Sequence, residues 1–199
     1  QGAEVVIGKR DLLATVAGSA IGVSGGGPIG VEADDLTIAR YERLGEMLSG
    51  AETTTTRGIV EELRAIKDAD EIAAMREAAA VVDRALESVV SAGLVGRTER
   101  EVAFALYGAM LAEGAQGPSF PHVRGADRLR ADTLVVIDMG AAVGGYCSDM
   151  TRPFGTGTPP ARLVEIHGVC LEAQEAAMAA AAPGMTGAEL DAVARARIV

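Results

Sequence analysis

The sequence predicts an α+β fold, and three observations support this prediction. Long alanine-rich segments carry apolar residues at helical spacing, which is typical of amphipathic helices that pack on a core. Two apolar, β-prone runs flank a glycine-rich turn within residues 134–152, and this pattern predicts a β-hairpin. A Gly-x-Thr-x-x-Glu signature occurs at Gly96 and again at Gly184, at an offset of 88 residues. The repeat indicates an internal duplication.

Composition limits the classes of function. The chain of 199 residues and 20.3 kDa is long enough for one large domain, or for a small domain and part of another. Its formal charge of −10 argues against a nucleic-acid partner, which would require a basic surface. No apolar run reaches the roughly 18 residues of a membrane span, and residues 1–10 lack the layout of a signal peptide. Cys147 and Cys170 lack CxxC spacing and are interpreted as reduced thiols, so we expect a cytoplasmic protein without a membrane partner.

The first part of the chain predicts a small unit of its own. Residues 4–13 predict a short strand that leads into a helix. A second helix is expected to begin after an N-cap at Asp34 or Asp35. The threonine run at 53–56 is β-prone and breaks the helical pattern. We therefore expect a domain boundary near Arg57.

The rest of the chain predicts two pairs of helices. The first long helix begins near Asp70, and its apolar face is predicted to contain Ile72, Met75, Ala79, Val82, Leu86 and Val89. Thr98 and Glu101 form a capping box that opens the next helix. A second long helix is followed by Thr186 and Glu189, which repeat that box. Because capping boxes are common in alanine-rich helices, coincidence is the alternative to duplication.

The hairpin carries one aspartate on each strand. A turn at Val143-Gly144 would set Asp138 directly opposite Asp149, whereas a turn at Gly144-Gly145 would make them diagonal neighbours on one face. Paired carboxylates among apolar residues are unfavourable unless they share a proton, meet an arginine or hold a divalent metal ion. Arg152 is close in sequence but alternates to the other face from Asp149. Metal is the favoured explanation, and a solvated face of an edge hairpin is the alternative.

The hairpin also resembles that of a known family. The segment VVIDMGAAVGGYCSDMTRPFGTG combines an Asp-x-Gly strand, a Gly-Tyr-x-Ser-Asp strand and a following Thr-Arg pair. It resembles the metal-binding hairpin of the pita-bread metallopeptidases, which include Xaa-Pro aminopeptidases, prolidases and, more distantly, methionine aminopeptidases. The segments VEELRAIKDADEIAAMREAA, GAQGPSF and PGMTGAELD fit the same family. Residues 1–56 resemble the C-terminal part of the small α/β N-terminal domain that this group shares with creatinase.

The resemblance implies an internally duplicated pita-bread fold that is present here only in part. Residues 57–199 would hold the first half and the start of the second half of the catalytic domain. The implied activity is hydrolysis at Xaa-Pro bonds with two divalent metal ions, manganese first and cobalt or zinc otherwise. Asp138 would bind one metal, Asp149 would bridge both, and His122 of the Pro-His pair would be the catalytic histidine that contacts the substrate. The implied partners are a proline-containing peptide and a second copy in a homodimer.

The sequence departs from the family pattern in two ways. Between Phe120 and Pro121 the family has another strand and loop, with a Ser-Gly-x-Asn segment, and this chain lacks them. The histidine and two glutamates that complete the family's metal site also have no counterpart, so we expect an internal piece of a longer protein. Two other functions stay open: an inactive pita-bread module that binds peptides or proteins, and a creatinase-like hydrolase that needs no metal.

Overall fold

The computed structural model describes residues 11–48, 50–120 and 125–198. The chain divides into two compact units, Gln1–Lys67 and Asp68–Val199. The strand predicted before Asp11 lies outside the described residues. The assignment of residues 1–56 to a separate domain stays a prediction. Within the described ranges, no helix is both long and apolar enough to cross a membrane.

The described residues of the first unit form two short parallel strands and three helices. Its elements are α1 (Leu12–Ser24), β1 (Ile29–Glu32), α2 (Ile38–Met47), β2 (Thr53–Thr56) and α3 (Ile59–Ala65). β1 and β2 run parallel, so the threonine run forms the strand that its β-prone residues predict. The buried side chains of this unit include Ala17, Val31, Leu44 and Leu48.

The start of α2 differs from the prediction. The hydroxyl of Thr37 accepts the backbone N–H of Arg40 at 3.4 Å, so Thr37 is the N-cap and the predicted caps Asp34 and Asp35 are wrong. The reason is a turn that follows β1 and delays the helix. Asp34 instead forms an exposed ion pair with Arg57 at 3.1 Å.

The described residues of the second unit form four helices in two successive pairs: α4 (Ala69–Ser91), α5 (Glu99–Ala112), α6 (Ala161–Ala180) and α7 (Gly187–Ile198). α4 begins at a capping box in which the Asp68 carboxylate accepts the N–H of Glu71 at 2.9 Å and Glu71 accepts the N–H of Asp68 at 2.7 Å. Its buried residues are Ala78, Val81, Val82, Ala85, Leu86 and Val89. Ile72 and Met75 stay partly exposed because the core does not extend to the first turns of the helix.

The strands of the second unit form two small antiparallel sheets. The strands are β3 (Gly117–Pro118), β4 (Thr133–Met139), β5 (Ala141–Val143), β6 (Tyr146–Cys147) and β7 (Met150–Thr156). One sheet has the order β3-β5-β6 and the other pairs β4 with β7. The predicted hairpin is therefore present, but Gly140 on one side and residues 148–149 on the other divide it into two ladders. Among the described residues, β4 has a strand partner on one edge only.

The core of this unit lies between α4, α5 and the inner face of the strands. It is aliphatic and contains no aromatic side chain among its fully buried members, as the low aromatic content predicts. Met139 and Ala141, on either side of Gly140, are both buried within it. Packing therefore fixes the strands at the point where the two ladders meet.

The two capping boxes have the same geometry. Thr98 accepts the N–H of Glu101 at 3.1 Å, and Thr186 accepts the N–H of Glu189 at 3.2 Å. In return each glutamate accepts the backbone N–H and the hydroxyl of its threonine. The glycine two residues before each threonine has a φ angle near the left-handed region, +84° and +88°. The match extends beyond sequence to backbone conformation, which supports duplication over coincidence.

The capping boxes predict the acid response of two glutamates. Donation from the backbone N–H and then the hydroxyl of the threonine holds the pKa of Glu101 and of Glu189 below the ordinary value of 4.5. The stabilisation is therefore complete above the unfolded-state pKa and is lost as the pH falls through the lowered folded-state pKa. An NMR titration of the side-chain carboxyls is expected to find both glutamates titrating below the ordinary glutamate value. Thr98→Ala should raise the pKa of Glu101 and leave that of Glu189 unchanged, and an unchanged Glu101 would contradict this account.

Candidate metal centre

Asp138 lies on the open face of β4. Strand alternation sends the neighbouring Ile137 and Met139 into the core and leaves Asp138 exposed, on the same side as Val136, which is 65% exposed. The Asp138 carboxylate accepts a hydrogen bond from the hydroxyl of Thr151 at 2.8 Å. Thr151 is also its cross-strand partner in β7. Strand pairing and this hydrogen bond together orient the carboxylate toward solvent.

Asp149 lies just before β7 and is exposed as well. Because Asp138 pairs with Thr151, the register is the one set by a turn at Gly144-Gly145, and the aspartates are diagonal neighbours. Both turn glycines have positive φ angles, +59° and +82°, which a β-hairpin turn of this kind requires. The second of the two predicted registers is therefore confirmed, and the directly opposed arrangement is excluded.

The expectation that an apolar sheet encloses the two aspartates is wrong for this chain. The apolar neighbours of Asp138 do not share its face, since Ile137 and Met139 point into the core. Among the described residues, neither aspartate forms an ion pair with a lysine or arginine. Arg152 instead donates to the carbonyl of Thr151 at 2.9 Å. In this chain both carboxylates are exposed to solvent, so no cation is required to compensate for burial.

Two serines hold the junction between the ladders. The Ser148 hydroxyl donates to the carbonyl of Ala78 in α4 at 2.9 Å and accepts the N–H of Ala141 at 3.1 Å. The Ser119 hydroxyl donates to the carbonyl of Ser148 at 2.6 Å. A Cβ atom added at Gly140 would overlap that same carbonyl oxygen. The strand that carries Asp138 and the segment that carries Asp149 thus lie side by side in close contact.

Sequence reasoning did not identify Ser119 and Ser148 as important residues. The signal for Ser148 is its place in the Gly-Tyr-x-Ser-Asp motif, directly before Asp149. Ser119 has no comparable signal, because it meets Ser148 across 29 residues of sequence. Its role follows from the three-dimensional structure alone.

The tip of the hairpin is tied to the start of α4. The hydroxyl of Tyr146 donates to the Glu71 carboxylate at 2.6 Å. The other oxygen of Glu71 accepts the N–H of Asp68 in the capping box. The tie therefore couples the turn between the two aspartate-bearing segments to the N-terminus of a core helix.

Among the described residues, no further metal-binding side chain lies beside the two aspartates. His122 lies outside the described residues, so its predicted role stays a prediction. His167 is half-buried on α6. Over residues 11–48, 50–120 and 125–198, no group of three or more His, Cys, Asp or Glu side chains could hold a metal ion.

A cavity lies between α5 and β4, entirely within the second unit. Its volume is about 1300 Å³, and its lining includes Asp138 and Thr151 together with Arg100, Phe104 and Tyr107. Phe104 on α5 is 66% exposed, so α5 contributes a solvent-accessible aromatic side chain to the cavity. The cavity extends along the edge of β4 that has no strand partner among the described residues.

Comparison with known proteins identifies the family. The sequence profile of metallopeptidase family M24 matches residues 73–199, and the chain belongs to this family. The peptidase YqhT of Bacillus subtilis, described as uncharacterized, is 36% identical over 180 residues, which cover 84% of this chain and 51% of YqhT. A Xaa-Pro dipeptidase of Pyrococcus furiosus is 34% identical over 180 residues, with the same coverage. The chain thus spans about half the length of the curated relatives that it matches.

Solved structures confirm the fold. A Xaa-Pro dipeptidase from Bacillus anthracis superposes with a TM-score of 0.87 and 35% identity over 96% of this chain and 57% of that one. An X-Pro aminopeptidase from Thermotoga maritima gives a TM-score of 0.85 and 28% identity over 96% and 58%. The predicted α+β, pita-bread fold, present in part, and the resemblance to the Xaa-Pro aminopeptidase and prolidase group are both confirmed.

The residues present fit part of a divalent metal site. Membership of this metallopeptidase family implies that divalent metal ions are the cofactor. Asp138 and Asp149 supply exposed carboxylates on the two sides of the hairpin, and carboxylates are the oxygen donors that ions such as Mn²⁺ prefer. Two carboxylates do not enclose an ion, and the described residues supply no third ligand beside them.

Proposed function

We propose that this chain is part of a metal-dependent peptidase that hydrolyses Xaa-Pro bonds, as an aminopeptidase or a dipeptidase. The observation that carries the proposal is the exposed, diagonal pair Asp138 and Asp149 in an M24 chain. Its 34% identity to a Xaa-Pro dipeptidase supports the choice of substrate class. A peptide with proline after the scissile bond is the substrate under this proposal.

Each predicted site residue receives a role. Asp138 would bind one divalent ion and Asp149 would bridge two, with manganese as the first choice and cobalt or zinc as alternatives. Such ions, when bound, polarise a carbonyl and lower the pKa of a water molecule. His122 would contact the substrate. The other ligands would come from the part of the relatives' length that this chain does not span.

Further properties of the complete protein belong to the same proposal. Residues 1–56 would be the end of a creatinase-like N-terminal domain that precedes the catalytic domain. A homodimer in the cytoplasm is the assembly and location that we propose. Neither a membrane nor a nucleic acid is a partner under this proposal, and the charge of −10 supports the exclusion of nucleic acid.

An inactive peptide-binding or protein-binding module is the second candidate. The observation that favours it is the absence of a third metal-binding side chain near the aspartates among the described residues. Such a module would not need a complete metal site. It would bind peptides or partner proteins without turnover and would take up no stoichiometric metal.

Hydrolysis assays on the complete protein separate these functions. The protein is depleted of metal with a chelator, reloaded with Mn²⁺, Co²⁺ or Zn²⁺, and supplied with a Xaa-Pro dipeptide, a longer peptide with proline second, and the matching alanine peptides. Cleavage of a proline peptide that disappears on depletion and returns with metal is the expected result. Cleavage that persists after exhaustive chelation would indicate a creatinase-like hydrolase, and the absence of cleavage with every metal would indicate the binding module.

A further inference from the structure

We propose that Ser148 is a positioning residue for the metal-binding pair, with Ser119 as its support. The proposal rests on the proposed function, because it concerns the carboxylates that would bind the metal ions. Ser148 directly precedes Asp149 and is half-buried, so its contacts fix the backbone from which the Asp149 carboxylate projects.

The side chain of Ser148 is anchored to α4. Its hydroxyl donates to the carbonyl of Ala78 at 2.9 Å, and Ala78 is fully buried in the helix. An α-helical carbonyl in a packed core is a rigid reference point. The hydroxyl also accepts the N–H of Ala141 at 3.1 Å, and the N–H of Ser148 donates to the carbonyl of Ala141 at 2.9 Å. Ser148 is thus bonded to α4 and to β5 simultaneously.

Ser119 closes the junction between the two ladders. Its hydroxyl lies 2.6 Å from the carbonyl of Ser148 and 3.0 Å from the carbonyl of Ala141, and its N–H donates to the carbonyl of Gly140 at 2.9 Å. Ser119 therefore bridges both sides of the junction between the two ladders. It contacts the backbone of Gly140 on one side and the backbone of Ser148, the residue before Asp149, on the other.

This junction lies close in sequence to both aspartates. Asp138 is two residues before Gly140, and Asp149 is one residue after Ser148. Asp149 itself lies outside the β4–β7 ladder, so regular strand pairing does not hold it. The serine contacts supply the missing constraint. Loss of outer contacts that orient a ligand typically weakens metal affinity by about 10- to 100-fold.

Manganese titration of the complete protein tests this inference. The dissociation constant for Mn²⁺ is measured by calorimetry for the wild type, Ser148→Ala, Ser119→Ala, Asp149→Asn and Thr156→Val, with thermal unfolding of each metal-free protein alongside. Thr156→Val is the matched control. It removes a buried hydroxyl that donates to the carbonyl of Arg130 at 2.8 Å in the same sheet, but at the end away from the aspartates.

The expected result is affinity about 10- to 100-fold weaker in Ser148→Ala and weaker in the same direction in Ser119→Ala. Thr156→Val should lower the melting temperature while its Mn²⁺ affinity stays within about twofold of wild type. Wild-type affinity in both serine variants would overturn the inference, as would an equal loss in Thr156→Val. If Ser148→Ala does not fold, Ser119→Ala decides the outcome. Failure of the proposed function is distinguishable, because the wild type itself would then bind no more Mn²⁺ than Asp149→Asn; that result overturns both.

Discussion

Replacement of Asp149 by asparagine in the complete protein is expected to abolish stoichiometric Mn²⁺ binding and the cleavage of Xaa-Pro peptides. The amide has nearly the shape of the carboxylate, but it lacks the negative charge that a bridging ligand contributes. A bound metal ion contributes several kcal/mol of transition-state stabilisation. Because about 1.4 kcal/mol corresponds to a tenfold change in rate, the expected loss of kcat/KM is at least about a thousandfold.

The control for this variant is Asp83→Asn, which removes an exposed carboxylate from α4. This control should retain wild-type turnover and metal content. Asp138→Asn is expected to lower metal content as well, since under the proposed function Asp138 binds one of the ions. Unchanged turnover in Asp149→Asn would rule out the peptidase proposal, whatever the behaviour of the other variants.

Gly140→Ala is the substitution with the largest expected effect on stability. Its Cβ atom would overlap the backbone carbonyl of Ser148 and lie 2.7 Å from the Ser119 hydroxyl, so the two ladders would have to separate. Overpacking typically costs about 1–3 kcal/mol, and a clash with backbone cannot be relieved by rotation of a side chain. We therefore expect the free energy of unfolding to fall by about 3 kcal/mol or more, measured by urea denaturation of the second unit.

Gly108→Ala provides the opposite result within the same unit. Gly108 lies on the exposed side of α5, and a Cβ atom there would meet nothing within 4 Å. Alanine in a helix interior is more stable than glycine by roughly 0.5–1 kcal/mol, so this variant should gain stability. A Gly140→Ala protein as stable as wild type would show that the junction can open at little cost. The close contact would then not be essential to the fold.

Local signals account for the features that the sequence predicts well. The capping boxes at Thr98 and Thr186 depend on residues three apart, so both could be identified without knowledge of the tertiary structure. The hairpin follows from two β-prone runs and a pair of glycines, and its two possible registers could be stated in advance. The choice between those registers required the structure, because either pair of turn residues contains a glycine.

Burial and long-range contacts account for what the sequence does not predict. Alternation along β4 places Asp138 and Ile137 on opposite faces of the strand, but it does not determine which face another layer covers. The expectation of enclosed carboxylates failed for that reason. The Ser119–Ser148 contact joins distant positions through backbone carbonyls, which have no signature in the sequence. Likewise, α2 begins only after Thr37 because Asp34 and Asp35, which are common N-cap residues, belong to a turn.

The half-paired strand β4 has a consequence for the behaviour of the protein in concentrated solution. Among the described residues, β4 has seven mostly apolar residues and one unpaired edge, and such an edge is a template to which a strand from another molecule can add. At neutral pH the charge of −10 keeps molecules apart and opposes such contacts. Near the isoelectric point of about 4.7 that repulsion disappears, while the open edge is unchanged. Colloidal stability therefore depends on the net charge of acidic side chains distributed along the whole chain.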